Sequence, residues 1–161
     1  MLLKTVSKLN PEVVFFHLGQ GDIWKKLEAE TIAGYAKQMM WKLLVDTEVR
    51  ICFSLLIPLN SSPQQKAAIE AVNESITYFI TELRKNSNFG KRIFSMNNNT
   101  LGGYLKYSTG PNGKKVDLNE KGLSKFWLMM KDSLRRTLEL APLSTRTRSR
   151  TNSSRNRSND E

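Results

Sequence analysis

The stretch Ser62 to Lys85, SPQQKAAIEAVNESITYFITELRK, decides the reading of this chain. Ser62 fits an N-cap, Pro63 fits the first helical position, and Gln65 completes a capping box. Ile69, Val72, Ile76, Phe79 and Leu83 then recur at three- and four-residue steps. That spacing predicts one apolar stripe on a helix of about six turns. A stripe of this kind is read as the core face of a domain, not as a cofactor or partner face.

Immediately before it, residues 49–57 read VRICFSLLI. Val49, Ile51, Phe53, Leu55 and Ile57 share one parity, and Arg50, Cys52 and Ser54 the other. The alternation predicts a half-buried strand, ended by Pro58, with Cys52 on its more polar face or in a shallow second contact, as a structural thiol. Further back, Asp22 is expected to cap a helix that begins near Ile23 and continues through Trp24, Leu27, Ile32, Tyr35, Ala36, Met39, Met40, Leu43 and Leu44. Val13 to Phe16 is β-branched and aromatic but too short to assign.

After the long helix, Arg92–Met96 and Tyr104–Tyr107 predict a hairpin around Asn97-Asn98-Asn99. Thr109 to Gly113 carries strong turn chemistry, and Lys114 to Val116 a short extended piece. Asn119 is expected to cap a last helix with the apolar face Leu123, Phe126, Trp127, Met130, Leu134 and Leu138, stopped by Pro142. Ser144 to Glu161 contains only Ser, Thr, Arg, Asn, Asp and Glu, so nothing in it can be buried. The expected fold is α+β: a helix-rich single domain over 1–143 with a β-hairpin, then a disordered, basic Arg/Ser-rich tail over 144–161.

Composition excludes several classes. No apolar run reaches the ~18 residues of a spanning helix, and Lys4 and Lys8 interrupt the apolar N-terminus, which lacks signal-peptide order. One cysteine, Cys52, excludes a disulfide framework. With His17 as the single histidine, neither a zinc site nor a catalytic imidazole is expected. No catalytic residue, cofactor or metal is expected, and the chain does not read as an enzyme.

The net charge is +10, and it is unevenly placed. Residues 1–83 hold eight Lys/Arg against nine Asp/Glu, residues 84–143 twelve against four, and residues 144–161 five against two. An excess confined to one half points to a polyanion, with nucleic acid first and an anionic membrane surface second. The candidate RNA-binding residues are Arg84, Lys85, Lys91, Arg92, Lys106, Lys114 and Lys115, joined by Arg146, Arg148, Arg150, Arg155 and Arg157 of the tail. Arginine forks pair bidentately with phosphate. Phe89, Phe94, Tyr104 and Tyr107 interleave with these basic residues and could stack on bases or pack in the core; packing is favoured for Phe94. Phosphorylation of the tail serines and threonines would cancel much of its charge.

Leu101 to Leu134, LGGYLKYSTGPNGKKVDLNEKGLSKFWLMMKDSL, resembles the C-terminal dimerisation domain of coronavirus-like (nidovirus) nucleocapsid proteins. There an aromatic-rich hairpin strand leads through a Gly/Lys/Asp segment into a final amphipathic helix, and Asn88-Phe89-Gly90-Lys91-Arg92 is similar to the basic segment of those domains. Ala67 to Leu101 is similar to the end of rod-shaped plant virus coat proteins, with Arg92 and Phe94 in the places of that family's Arg and Phe. Both resemblances imply packaging of viral RNA. The expectation is a nucleocapsid phosphoprotein of the virion and host cytoplasm that binds single-stranded genomic RNA, self-associates as a dimer or higher oligomer, and has a viral membrane protein as a further partner. The alternatives are a rod-type plant virus coat protein, a matrix-like scaffold on anionic lipid, and a host-directed regulatory protein with an RNA- or partner-binding tail.

Overall fold

The capping box at Ser62 forms: its hydroxyl accepts from the Gln65 N–H at 3.3 Å, and the Gln65 carboxamide accepts from the Ser62 N–H at 3.3 Å. The helix it opens, Pro63–Arg84, is the longest of the structure, a computed structural model that describes residues 2–58, 62–110 and 113–140. In chain order the elements are α1 (Leu2–Leu9), β1 (Val13–Phe16), α2 (Gln20–Trp24), α3 (Ala29–Asp46), β2 (Arg50–Ser54), α4 (Pro63–Arg84) and β3 (Ile93–Met96). A 3-10 helix (Asn99–Tyr104), β4 (Leu105–Gly110), β5 (Gly113–Leu118) and α5 (Glu120–Thr137) follow.

The mixture of helix and strand is as expected, and its arrangement is strand–helix–strand–helix–strand. β1, β2 and β3 lie side by side in that order and are parallel, with Phe15 opposite Cys52 and Cys52 opposite Phe94. Two crossovers that step in the same direction place their helices on one face of the sheet, and α3 packs against α4 there. Ile51 and Phe53 of β2 join Ile93, Phe16 and the inner faces of α3 and α4 in a single buried cluster. Met40, Leu43, Ile51, Ile76 and Ile93 are each 0% exposed. Burying one such side chain contributes about 1.5–3 kcal/mol, so this layer holds most of the fold's stability.

Several expectations are corrected. The hairpin over 92–107 does not form: Ile93–Met96 joins the parallel sheet, a 3-10 helix follows over Asn99–Tyr104, and the expected return arm is a strand that pairs onward with β5 instead of back with β3. The asparagines that suggested a turn are used inward. Buried Asn98 donates from Nδ2 to the Ser54 hydroxyl at 2.8 Å and to the Leu55 carbonyl. The hairpin lies one segment later, between β4 and β5, with Gly110 opposite Gly113.

The helix expected from Ile23 onward is two helices, broken at residues 25–28 and begun by Gly19 at φ +95° instead of Asp22. Ile23 and Ile32 are both buried. Nine residues make two and a half turns, so a continuous helix would point them in opposite directions. The break, with Lys26 at φ +59°, brings both inward. In α4 it is Ile80, not Phe79, that is fully buried. β2 is buried on both faces, with Cys52 and Ser54 at 0% exposure. Alternation in the sequence recorded side-chain polarity but not the helix that covers the second face. The stop at Pro142, the turn at 111–112 and the disorder of 144–161 lie outside the described residues.

Candidate nucleic-acid interface

The covering helix is α5, and its sequence fixes how it docks. The Asn119 side chain caps it, accepting from the Gly122 N–H at 2.9 Å, and the Asn119 N–H donates to the Tyr104 carbonyl at 2.8 Å. A Cβ at Gly122 would stand 2.5 Å from the Tyr104 Cβ, so only glycine allows the first turn to lie this close. The buried residues of α5 are small: Gly122, Ser133 and Thr137. They suit the small side chains of Cys52 and Ser54 on this face of β2. At the far end, Arg50 donates from Nη1 to the Thr137 carbonyl at 2.9 Å.

This docking turns the expected apolar face of α5 partly outward. Leu123 is 49% exposed and Trp127 53%, and Leu128 is exposed beside them. On the rest of the surface stand Lys121, Lys125, Lys131, Arg135 and Arg136, against Glu120 and Asp132 as the acidic residues of the helix. α3 carries two basic and two acidic residues, and α4 carries Lys66 and Arg84 against Glu70, Glu74 and Glu82. The positive excess therefore belongs to one layer of the molecule. Lys91, Lys121 and Lys131 are exposed and form no ion pair with another described residue.

The sequence-predicted residues separate into groups. Arg84 lies over the Phe94 ring at 5.4 Å, close to α5. Lys85 pairs with Glu82 at 2.6 Å, and that hydrogen bond raises its pKa. Lys106 is exposed on β4. Lys114 and Lys115 sit on β5, opposite Thr109 and Ser108; their side chains, and that of Tyr107, lie outside the described part. So do Arg146, Arg148, Arg150, Arg155 and Arg157.

Arg92 points inward. Its guanidinium donates to the Thr47 and Val49 carbonyls, pairs with Glu48 at 3.3 Å, and is 15% exposed. It ties β3 to the α3–β2 turn and has little left for a ligand. Among the aromatics, Phe89 packs edge-on against Trp41 at 5.5 Å, whereas Tyr104 holds the Lys125 ammonium over its ring at 4.8 Å.

Sequence reasoning missed Arg136 and Ser133, which stand across from Arg84. Helical spacing places Arg136 off the stripe of Leu123, Phe126, Trp127, Met130, Leu134 and Leu138, but nothing local says that this side of the helix meets β3. It also missed the polar group at the ends of the parallel strands. His17 Nδ1 lies 2.9 Å from the Ser54 hydroxyl, its ring meets Phe126 edge-on at 5.2 Å, and burial lowers its pKa. Asn98 completes the group, and its Oδ1 has no partner among the described residues. Ser54 is 0% exposed, so its hydroxyl cannot reach a substrate, and the group reads as a polar latch between strand ends. Burial also raises the pKa of Cys52, opposed by the Thr137 hydroxyl and the charge of Arg136. No cluster of His, Cys, Asp and Glu among the described residues could hold a metal. Comparison with protein families, with curated proteins and with solved structures finds no match to this chain.

Proposed function

We propose that this protein binds and packages single-stranded viral RNA through its basic C-terminal half, and that it self-associates in doing so. In this reading it is a single folded domain with a basic tail over 144–161, working in the host cytoplasm and in the virion. The observation that supports it most is the one-sided charge. The α3–α4 layer is close to neutral, whereas α5 holds five basic residues against two acidic ones, with Lys121 and Lys131 in no ion pair with another described residue. Binding would be phosphate neutralisation without base reading, strengthened by avidity between copies.

The test is fluorescence anisotropy with a labelled oligouridine over a salt series. The logarithm of affinity should fall with the logarithm of salt by about 0.7 per phosphate contact. An affinity that is flat between low and moderate salt overturns the reading. Light scattering without RNA should find a dimer or larger species at high protein concentration.

A second reading, a matrix-like scaffold on anionic lipid, is favoured by Leu123, Trp127 and Leu128 exposed beside lysines on α5. A basic amphipathic helix of this kind can lie in a membrane interface. No helix among the described residues is long and apolar enough to cross a membrane. Flotation with phosphatidylserine vesicles separates the two: RNA binding without vesicle binding supports packaging, and the reverse supports the scaffold.

A further inference from the structure

At the outer edge of β3, the C-terminal ends of α4 and α5 close on a cleft of about 170 Å3. That is far more than the ~15 Å3 one ordered water requires. Its walls are Arg84, Phe94, Ser95, Ser133 and Arg136. We propose that this cleft seats a phosphate group, and that the group is a backbone phosphate of single-stranded RNA; the second half of the proposal rests on the RNA-binding reading above.

The chemistry follows from which donors are already used. Arg84 makes no ion pair or hydrogen bond with another described residue. Its guanidinium lies over the Phe94 ring at 5.4 Å, which positions the charge while leaving its N–H groups open. Arg136 donates from Nη2 to the Ser133 hydroxyl at 3.2 Å and pairs through Nε with Asp132 at 3.3 Å, so Nη1 remains. Ser133 is 4% exposed and accepts from Arg136, so its own proton can be donated into the cleft. Ser95, whose side chain shares the face of Phe53, lines the cleft at the outer edge of β3, where no strand lies among the described residues.

Two guanidinium groups and the Ser133 hydroxyl thus converge on one small volume. Asp132 is the one described carboxylate in ion-pair reach of either arginine, so the cleft stays positive. A carboxylate holds its two oxygens in one plane with its carbon; the two free oxygens of a backbone phosphate project from a tetrahedral centre and match forks arriving from different elements. The site joins α4, β3 and α5, which no stretch of sequence brings together.

The experiment uses the whole chain and two probes. Inorganic phosphate is titrated into 15N-labelled protein, and a fluorescein-labelled oligouridine is titrated at several salt concentrations. The proteins are the wild type, the double variant Arg84→Gln with Arg136→Gln, and Lys131→Gln, which removes one charge on another side of α5. Phosphate should shift the Ser95 and Ser133 amides in the wild type and in Lys131→Gln, but not in the double variant. The double variant should bind RNA about tenfold more weakly at low salt, with a salt slope smaller by about 1.4 for two lost contacts.

Steep RNA binding that the double variant leaves unchanged overturns the cleft as an RNA site and leaves the RNA reading standing. A phosphate response at Ser95 and Ser133 without RNA binding keeps the phosphate seat and overturns the RNA reading. Absence of both overturns both. If the double variant unfolds, Ser133→Ala takes its place: an unchanged phosphate response there puts the seat elsewhere.

Discussion

The two faces of the parallel sheet use opposite materials. Toward α3 and α4 the contacts are Ile, Leu, Met and Phe, almost all sealed from water. Toward α5 the fully covered residues are Gly122, Ser133, Thr137, Cys52 and Ser54, with Phe94 and Phe126 half-buried beside them, while Leu123, Trp127 and Leu128 face out among lysines and arginines. Apolar area removed from water is what stabilises a fold. The first face therefore carries the stability, and the second is left to carry charge and contact. A helix docked through small residues also follows the shape of its platform closely.

The comparison can be broken in several ways, beginning with the largest effect. Ile76→Ala, in the sealed layer, should lower unfolding free energy by about 3 kcal/mol in a denaturant titration; a loss below about 1 would mean that the α3–α4 layer is not the core. Arg92→Gln should come next, near 2 kcal/mol, because the Thr47 and Val49 carbonyls lose their donors. Its RNA affinity should fall no further than that of Lys91→Gln. A stable protein with binding abolished would place Arg92 on the interface instead.

Gly122→Ala tests the tightness of α5 docking. Alanine is the better helix former by about 1 kcal/mol, yet its Cβ meets Tyr104 at 2.5 Å. A net loss of about 1–2 kcal/mol is expected, and a gain would show that the first turn is loosely held. His17 gives a smaller, pH-dependent effect. Burial lowers its folded pKa, so the unfolded chain takes up the proton first, and stability is lost as pH falls below the ordinary histidine range. His17→Gln should flatten that part of the stability–pH curve; an identical slope in the variant would assign it to other groups. Trp127→Ala should change stability by less than about 0.5 kcal/mol while weakening self-association in light scattering. A large loss of stability would mean that the indole is covered within the monomer.

What could be read from the sequence followed how local each signal was. Ser62, Pro63 and Gln65 act within one turn, as do Asn119 and Gly122, and both helix starts are where the residues predicted. The sheet was misread because its pairing is long-range. Ile93 meets Ile51 across the whole of α4, and no periodicity in IFSM distinguishes a parallel partner from a hairpin arm. Asn97 to Asn99 carried turn chemistry, but Asn98 is spent on Ser54 and Leu55. For the candidate site, the charge excess after residue 83 was legible, and so was Arg84, whereas the lysines of α5 were not among the residues singled out. The inward turn of Arg92 and the meeting of Arg84 with Arg136 were not, since each depends on which elements become neighbours. Alternation over 49–57 gave the strand but could not tell that a helix of small residues would cover Cys52.

That buried thiol has a use of its own. Cys52 is the one cysteine of the chain, it is 0% exposed beneath α5, and burial keeps it protonated and unreactive. A thiol reagent can therefore reach it when α5 lifts, and the labelling rate becomes a clock for that opening without any engineered probe. A ligand that joins Arg84 on α4 to Arg136 on α5 would bridge the moving helix to the fixed layer and slow the clock. One that binds only the outer lysines of α5 would leave it running at the same speed.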